Sequence, residues 1–267
     1  MNILVCVKQV PDTTEIKINP ETNTLIRDGV PSILNPFDAY ALEAAVRLRD
    51  KNSDTKIIAV SMGPEQAKAA LKECLAIAAD KAYLISGRPF GGSDTLATSY
   101  ILSHAIRKIE ETEGKFDAIF CGKQAIDGDT AQVGPEIAEH LGYPQITYAW
   151  EAEKDGDRLK VLRESDDGKL NIGVTIPCVL TFTKPSWEPR MPNVRRKMAA
   201  NRAEIPTLSD IDLTDLDPTR IGLKGSPTKV KKTFVPKRNK NGIMIQESSG
   251  SEAAVVLFGL LSEAGLV

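Results

Sequence analysis

Apolar positions along the chain follow two different periods, and the places where the period changes mark its organisation. Residues 2 to 7, NILVCV, form a short apolar run that ends at Lys8 and a polar, proline-containing loop. The excursion EIKINPETNTLIRDG predicts two short extended pieces around a turn. NPFDAYALEAAVRLRDK then predicts a helix. Asn35 suits the N-cap, Pro36 the first helical position and Asp38 the first turn. Leu42, Ala45, Val46 and Arg49 follow at helical spacing, the stem of Arg49 completing the stripe. The alternation repeats. TKIIAVSMG, KAYLIS, FDAIFCG and PQITYAWEAEK predict strands. Between them, PEQAKAALKECLAIAA opens at Pro64, SDTLATSYILSHAIRKIEE follows, and a third helix runs from Thr130 to Leu141. Strands alternating with long helices predict a doubly wound α/β fold whose mostly parallel sheet is covered on both faces.

After about residue 150 the period changes. DGDRLKVLRESDDGKLNIGVTIPCVLTFTK holds three extended segments with Asp-Gly turn signals, the pattern of antiparallel hairpins extending the sheet at its edge. TKPSWEPRMPN, with three prolines and a Trp, predicts a protruding loop, and a short basic helix follows from Val194 to about Arg202. The expected division is a nucleotide-binding domain over residues 1 to 203, carrying the antiparallel extension and this loop, and an arm over residues 204 to 267. The arm has only brief apolar runs until a closing helix from Ser251. Such a tail needs buried area to offset its ordering entropy. The closing helix is apolar on more than one face, through Ala253, Val255, Val256, Leu257, Phe258 and Leu260. The simplest cover is another protein chain around which the tail wraps; the alternative is a tail folded back on its own domain.

Composition narrows the function. The 267 residues are 42% hydrophobic and 26% charged, with 34 Lys plus Arg against 36 Asp plus Glu. That balance does not point to nucleic acid or to a membrane surface. No 18-residue apolar stretch and no signal-peptide pattern occur, so no stable membrane insertion and a cytoplasmic location are expected. Cys6, Cys74, Cys121 and Cys178 are widely spaced without CxxC, and His104 and His140 lack partners at ligand spacing. Packing roles are therefore expected for the thiols, and no metal site.

In a doubly wound sheet the ligand crevice lies beyond the carboxyl ends of the strands. The exits are Val7 with Lys8, Met62 with Gly63, Ser86 with Gly87, and Cys121 to Lys123. Neither GxGxxG nor GxxxxGK[ST] occurs, which sets aside the common dinucleotide and triphosphate loops. Two loops remain. In GKQAIDGDTAQVGPEIAEHLG, Asp129 and Gln132 predict a capping box for a helix from Thr130, leaving Asp127 free to accept from ribose or isoalloxazine donors. Loop and helix-start N–H groups would hold phosphate. In GRPFGGSDTLATS, Gly91 and Gly92 free the backbone, Ser93 or Asp94 caps a helix, and Thr95 and Thr98 offer hydroxyls to a phosphate or flavin edge. No catalytic triad or carboxylate pair is defensible, so any chemistry belongs to a bound cofactor. Residues 184 to 202 hold six basic side chains against Glu188, with Trp187 and Met191 among them, and suit protein docking. Residues 224 to 240 hold seven Lys or Arg and no acid, suiting cofactor phosphates, an acidic partner face or solvent.

MNILVCVKQVPDT, NPFD, AVSMGP, GKQAIDGDTAQVGPEIAEHLG and the K-P-x-x-x-E-P-R-x-P-N loop together resemble the beta subunit of electron transfer flavoprotein, over essentially the whole chain. The resemblance implies an adenine nucleotide alpha hydrolase-like sheet and a partner alpha subunit that carries an FAD of its own. It implies nucleotide contacts at Cys6 and Val7, at Asn35, Phe37 and Asp38, and at Met62. It implies a phosphate- and ribose-binding loop of Gly122, Lys123, Gln124, Ala125, Asp127, Gly128, Asp129, Thr130, Ala131, Gln132, Val133 and Gly134. GGSDTLATS resembles the electron-bifurcating branch, which implies FAD rather than AMP beside Asp94, Thr95 and Thr98. NADH would then deliver hydride, with electrons passing to ferredoxin and, through the alpha-subunit FAD, to a dehydrogenase. The docking loop maps to Trp187, Glu188, Pro189, Arg190, Met191, Pro192 and Asn193. It looks shorter than in acyl-CoA-dehydrogenase-linked members, which leaves acyl-CoA, enoyl-CoA reductase and lactate types open as partner. An ordinary AMP-bearing subunit and an adenine-nucleotide sensor without redox work are the alternatives.

Overall fold

The runs NILVC, KIIAVSM and AIFCG are apolar at nearly every position, so each needs cover on both faces. The computed structural model describes residues 1–12, 31–231 and 242–267, and the expected extended pieces near residues 15 to 29 lie outside these. The elements are β1 (Asn2–Cys6), β2 (Gln9–Pro11), β3 (Ser32–Leu34), α1 (Pro36–Lys51), β4 (Lys56–Met62), α2 (Lys68–Ile77), β5 (Lys81–Ile85) and α3 (Thr95–Glu113). β6 (Ala118–Gly122), α4 (Val133–Leu141), β7 (Gln145–Asp155), β8 (Arg158–Ser165), β9 (Gly168–Thr175) and β10 (Cys178–Phe182) follow. α5 (Val194–Arg202), β11 (Thr207–Leu208), the single turn α6 (Gly222–Gly225) and α7 (Gly250–Glu263) complete the order. Residues Met1–Lys231 form one compact unit and Lys232–Val267 another.

The main sheet has nine strands in the order β11-β5-β4-β1-β6-β10-β7-β8-β9. Pairing is parallel from β11 to β7 and antiparallel from β7 through β8 to β9. β2 and β3 pair separately as an antiparallel ribbon. Strand side chains alternate between the faces. Ile3, Val5, Ile57, Ala59, Phe120 and Leu180 pack with α1 and α2, whereas Leu4, Ile58, Val60, Ile119 and Val179 pack with α3 and α4. The fold is thus the expected doubly wound, mostly parallel sheet with an antiparallel edge extension and a C-terminal helical arm. In the second unit Ser249 caps α7 by accepting from the N–H of Glu252, and Val255, Leu257 and Phe258 are exposed.

Four local expectations need correction. The third extended segment after residue 150 is no edge hairpin. All five residues of β10 are buried, so the strand inserts in parallel between β6 and β7. β8 and β9, with polar positions along their length, stay at the edge. Pro64 opens a 3₁₀ turn, and α2 begins only at Lys68. The arm contributes β11, a short parallel partner of β5, too brief to register as a periodic signal. The loop of residues 183 to 193 does not protrude as a whole, because its first half is anchored. Pro185 is buried and the Trp187 ring meets Tyr40 edge-on at 6.0 Å, with the Arg47 guanidinium 4.4 Å from its centre.

Phe182 is fully buried, its ring 4.8 Å from Phe120. Phe182→Ala is expected to cost about 3–5 kcal/mol, read as a lower urea midpoint at unchanged slope. A loss below about 1 kcal/mol would contradict the interior placement of β10.

Candidate functional site

The chain adds β4 and β5 on one side of β1 and then returns to add β6 on the other. This reversal opens a crevice at the carboxyl ends of β1 and β6. Two buried polar side chains at the start of α1 build its floor. Asp38 accepts from the N–H of Lys8 at 2.7 Å and of Gly122 at 3.1 Å, joining the exits of β1 and β6 to the helix. Asn35 stands at the N-cap position but makes no side-chain cap, so that expectation is corrected. Its amide instead donates to the Gln124 carbonyl at 2.8 Å and accepts from the Ile126 N–H at 3.2 Å, holding the loop after β6. Gly122 is required by close approach: a Cβ there would lie 2.3 Å from Asp38 Oδ1.

The expected capping box fails. α4 begins at Val133, with Gln132 in the cap position and no side-chain cap. Asp129 accepts from the Gln124 side chain at 2.6 Å and adopts φ 52°, and Ala131 adopts φ 54°. Non-glycine residues held in this region cost about 1–3 kcal/mol each, and such outliers gather at ligand clamps. The segment from Asp129 to Gln132 is therefore a shaped loop and not the first turn of a helix. Asp127 is paired with Lys8 at 2.7 Å and does not line the crevice, so its expected acceptance from a ligand is not supported by its placement.

The other loop is capped as expected. Asp94 accepts from the N–H of Ala97 at 3.1 Å at the start of α3. Its second oxygen accepts from Thr228 Oγ1 at 2.7 Å, and its own N–H donates to Ser226 Oγ at 2.9 Å. Ser93 Oγ accepts from the Gly222 N–H at 3.1 Å. Gly92, at φ 75°, turns under Leu223, where a Cβ would lie 2.6 Å from Leu223 Cδ2. Residues 222 to 228 thus latch the glycine–threonine loop in place.

Between the two loops lies a cavity of about 790 Å³, within the usual range for small-molecule sites. Cys6 and Val7 line it from the exit of β1, Asn35 and Asp38 from the start of α1, and Met62 from the end of β4. Asp94, Thr95 and Thr98 from one loop and Gly122 to Ala125 with Gly128 to Gly134 from the other also line it. Phe37 lies outside, its ring 5.9 Å from the Lys123 ammonium, which also stands 5.1 Å from Tyr148. Glu65, Arg88, Phe90 and Leu102 line the cavity without having been singled out. Arg88 and Phe90 follow an expected exit and were within reach of the strand-end rule; Leu102, on the third turn of α3, carried no signal. Cys6 and Cys121 are register partners on β1 and β6. The Cys6 hydrogen bond and burial push the Cys121 thiol well above its ordinary range, so it stays protonated and is no nucleophile.

Of the docking residues, Glu188 accepts from Tyr40 Oη at 3.0 Å, and Arg190 donates to both oxygens of Glu43 and to Asp50. Asn193 caps α5 by accepting from the Arg196 N–H at 2.8 Å. Pro189 and Pro192 flank the outward turn, where Met191 is 86% exposed beside Val194 and Met198. Among the described residues no helix is long and apolar enough to cross a membrane.

Residues 22 to 213 match the electron transfer flavoprotein domain. The electron transfer flavoprotein subunit beta of Megasphaera elsdenii is 52% identical, over 96% of this chain and 95% of the relative. The chain belongs to the electron transfer flavoprotein beta-subunit family. Subunit CarD of the caffeyl-CoA reductase–Etf complex of Acetobacterium woodii is 46% identical over the full length of both chains. The FixA protein of Azorhizobium caulinodans is 42% identical over 96% of this chain and 92% of its own.

Burial pushes the Asp38 carboxyl up from 3.8 to about 7, against the two amides that favour its charge. With a folded-state pKa above the unfolded one, its contribution to stability is fully present below 3.8 and is lost as pH rises through about 7. Relative to Asp38→Asn, the wild-type chain is expected to lose stability between about pH 4 and about pH 7, measured by urea unfolding. A pH-independent difference between the two would contradict this.

Proposed function

We propose that this chain is the beta subunit of a heterodimeric, electron-bifurcating flavoprotein and holds FAD in the cavity between its two loops. The observation that carries the reading is the pairing of the shaped Asp129–Ala131 turn with a latched, hydroxyl-bearing loop across one cavity of about 790 Å³. AMP needs only the first of these; a long dinucleotide uses both. Two further points support it. The GGSDTLATS stretch resembles the bifurcating branch, and the chain aligns end to end with a subunit of a caffeyl-CoA reductase complex.

A bound FAD would supply the redox chemistry, accepting hydride from NADH and delivering electrons singly to ferredoxin and, through the alpha-subunit FAD, to a dehydrogenase. This chain's residues bind, orient and shield. N–H groups around Thr130 to Val133 would hold the phosphates, aided by the start of α4. Asn35 and Asp38 fix the floor without touching the chemistry. Thr95 and Thr98 would hydrogen-bond the ring end, while Met62, Phe90 and Leu102 would exclude water. Met191, Val194 and Met198, flanked by Arg195 and Lys197, form the docking surface for a dehydrogenase of acyl-CoA, enoyl-CoA reductase or lactate type. The apolar face of α7 packs on the alpha subunit.

Acid release from the purified heterodimer is expected to yield two FAD, and Thr95→Val with Thr98→Val to leave only the alpha-subunit FAD. One FAD with one AMP would overturn the bifurcating reading, and no flavin would leave the nucleotide sensor. Deleting residues 251 to 267 is expected to weaken association with the alpha subunit by about tenfold or more in analytical ultracentrifugation. Unchanged assembly would refute the role given to α7.

A further inference from the structure

Thr95, the first residue of α3, lines the cavity and donates its hydroxyl hydrogen to Glu136 Oε1 at 3.2 Å. Glu136 belongs to the first turn of α4, so one hydrogen bond links the two helices that flank the cavity. The other carboxyl oxygen, Oε2, is buried and has no hydrogen-bond partner among the described residues. A half-satisfied buried carboxylate costs stability that an apolar side chain would not. Packing between α3 and α4 does not require it. Tyr100, Ile101, Ile137 and Ala138 already form that contact within one apolar cluster. The acid therefore invites an explanation in what it does to Thr95.

A threonine hydroxyl has one hydrogen and two lone pairs. Once the hydrogen is committed to Glu136, only lone pairs remain to meet a ligand. We propose that Glu136 is a positioning residue that sets Thr95 as a hydrogen-bond acceptor toward the cavity, so that this end of the site selects a ligand ring carrying an N–H donor. An imide or ring N–H of the isoalloxazine class satisfies this acceptor, and a group bearing only carbonyls or phosphate oxygens does not. Burial raises the Glu136 carboxyl above its ordinary range, while the Thr95 hydroxyl and the nearby Ser99 hydroxyl, whose hydrogen goes to the Leu96 carbonyl, oppose the shift. The Thr95 bond thus favours the charged, accepting form. The inference rests on the FAD reading of the same cavity and adds to it the polarity of one contact.

The test uses the full-length chain stripped of nucleotide, with FAD and AMP affinities measured for wild type, Glu136→Ala, Glu136→Gln, Thr95→Val and the Thr95→Val/Glu136→Ala double variant. Glu136→Ala is expected to weaken FAD binding about fivefold to tenfold and to leave AMP binding within about twofold, which also shows that the variant folds. Glu136→Gln, whose amide oxygen still accepts from Thr95, is expected to restore most of the loss. The double variant is expected to be no weaker than Thr95→Val alone, as for two residues acting through one contact. Wild-type FAD affinity in Glu136→Ala, equal losses for FAD and AMP, or additive effects in the double variant would overturn the inference. A wild-type chain that holds FAD no more tightly than AMP would defeat the FAD reading itself, and this inference with it.

Discussion

One buried carboxylate organises the site. Asp38 takes the N–H groups that β1 and β6 leave free at their exits and ties both to the start of α1. Three elements far apart in the chain meet there, and removing the acceptor would leave two amides to satisfy elsewhere. Gly122 has no Cβ because the carboxylate occupies that space. Asn35, three residues earlier, extends the same junction to the loop after β6 through Gln124 and Ile126. The crevice that the strand order makes available is in this way given a fixed floor and one fixed wall.

A second wall is fixed by a later part of the chain. Asp94 caps α3 with one oxygen and holds Thr228 with the other, and Ser93 receives the Gly222 N–H. A segment more than 120 residues later in the chain thus sets the position of the glycine–threonine loop. Polar groups at the cavity are occupied by such ties more than their exposure suggests. Lys8 meets Asp127 and Gln124 meets Asp129. Asp127 is thus charge-matched by Lys8, while Asp129 has one oxygen held by the neutral Gln124 amide.

How legible each part was depended on the range of the interactions that decide it. Strands and helices through residue 150 could be read because apolar runs and capping residues act within a few positions, as Pro36 and Asp94 do here. Fold class followed from their alternation. The site was legible as a set of strand exits, which is why Cys6, Met62, Thr95 and the residues after Gly122 fall on one cavity. What failed were choices between local and distant partners. Asp129 and Gln132 have capping-box spacing, yet the loop's left-handed turns delay the helix to Val133. Asn35 reaches across the sheet instead of capping its own helix. β10 resembles the hairpins before it, but five consecutive buried residues demand the sheet interior. Trp187 reads as free in one dimension and packs on Tyr40 and Arg47 in three.

The central claim is that two loops act together on one long adenine-containing cofactor. Hydrogen–deuterium exchange on the full chain tests it most directly, comparing saturation with FAD and with AMP. FAD is predicted to protect the amides of residues 123 to 134 and of residues 91 to 98 together, and AMP to protect the first group alone. Identical footprints for the two nucleotides, or no protection of residues 91 to 98 by FAD, would contradict the account.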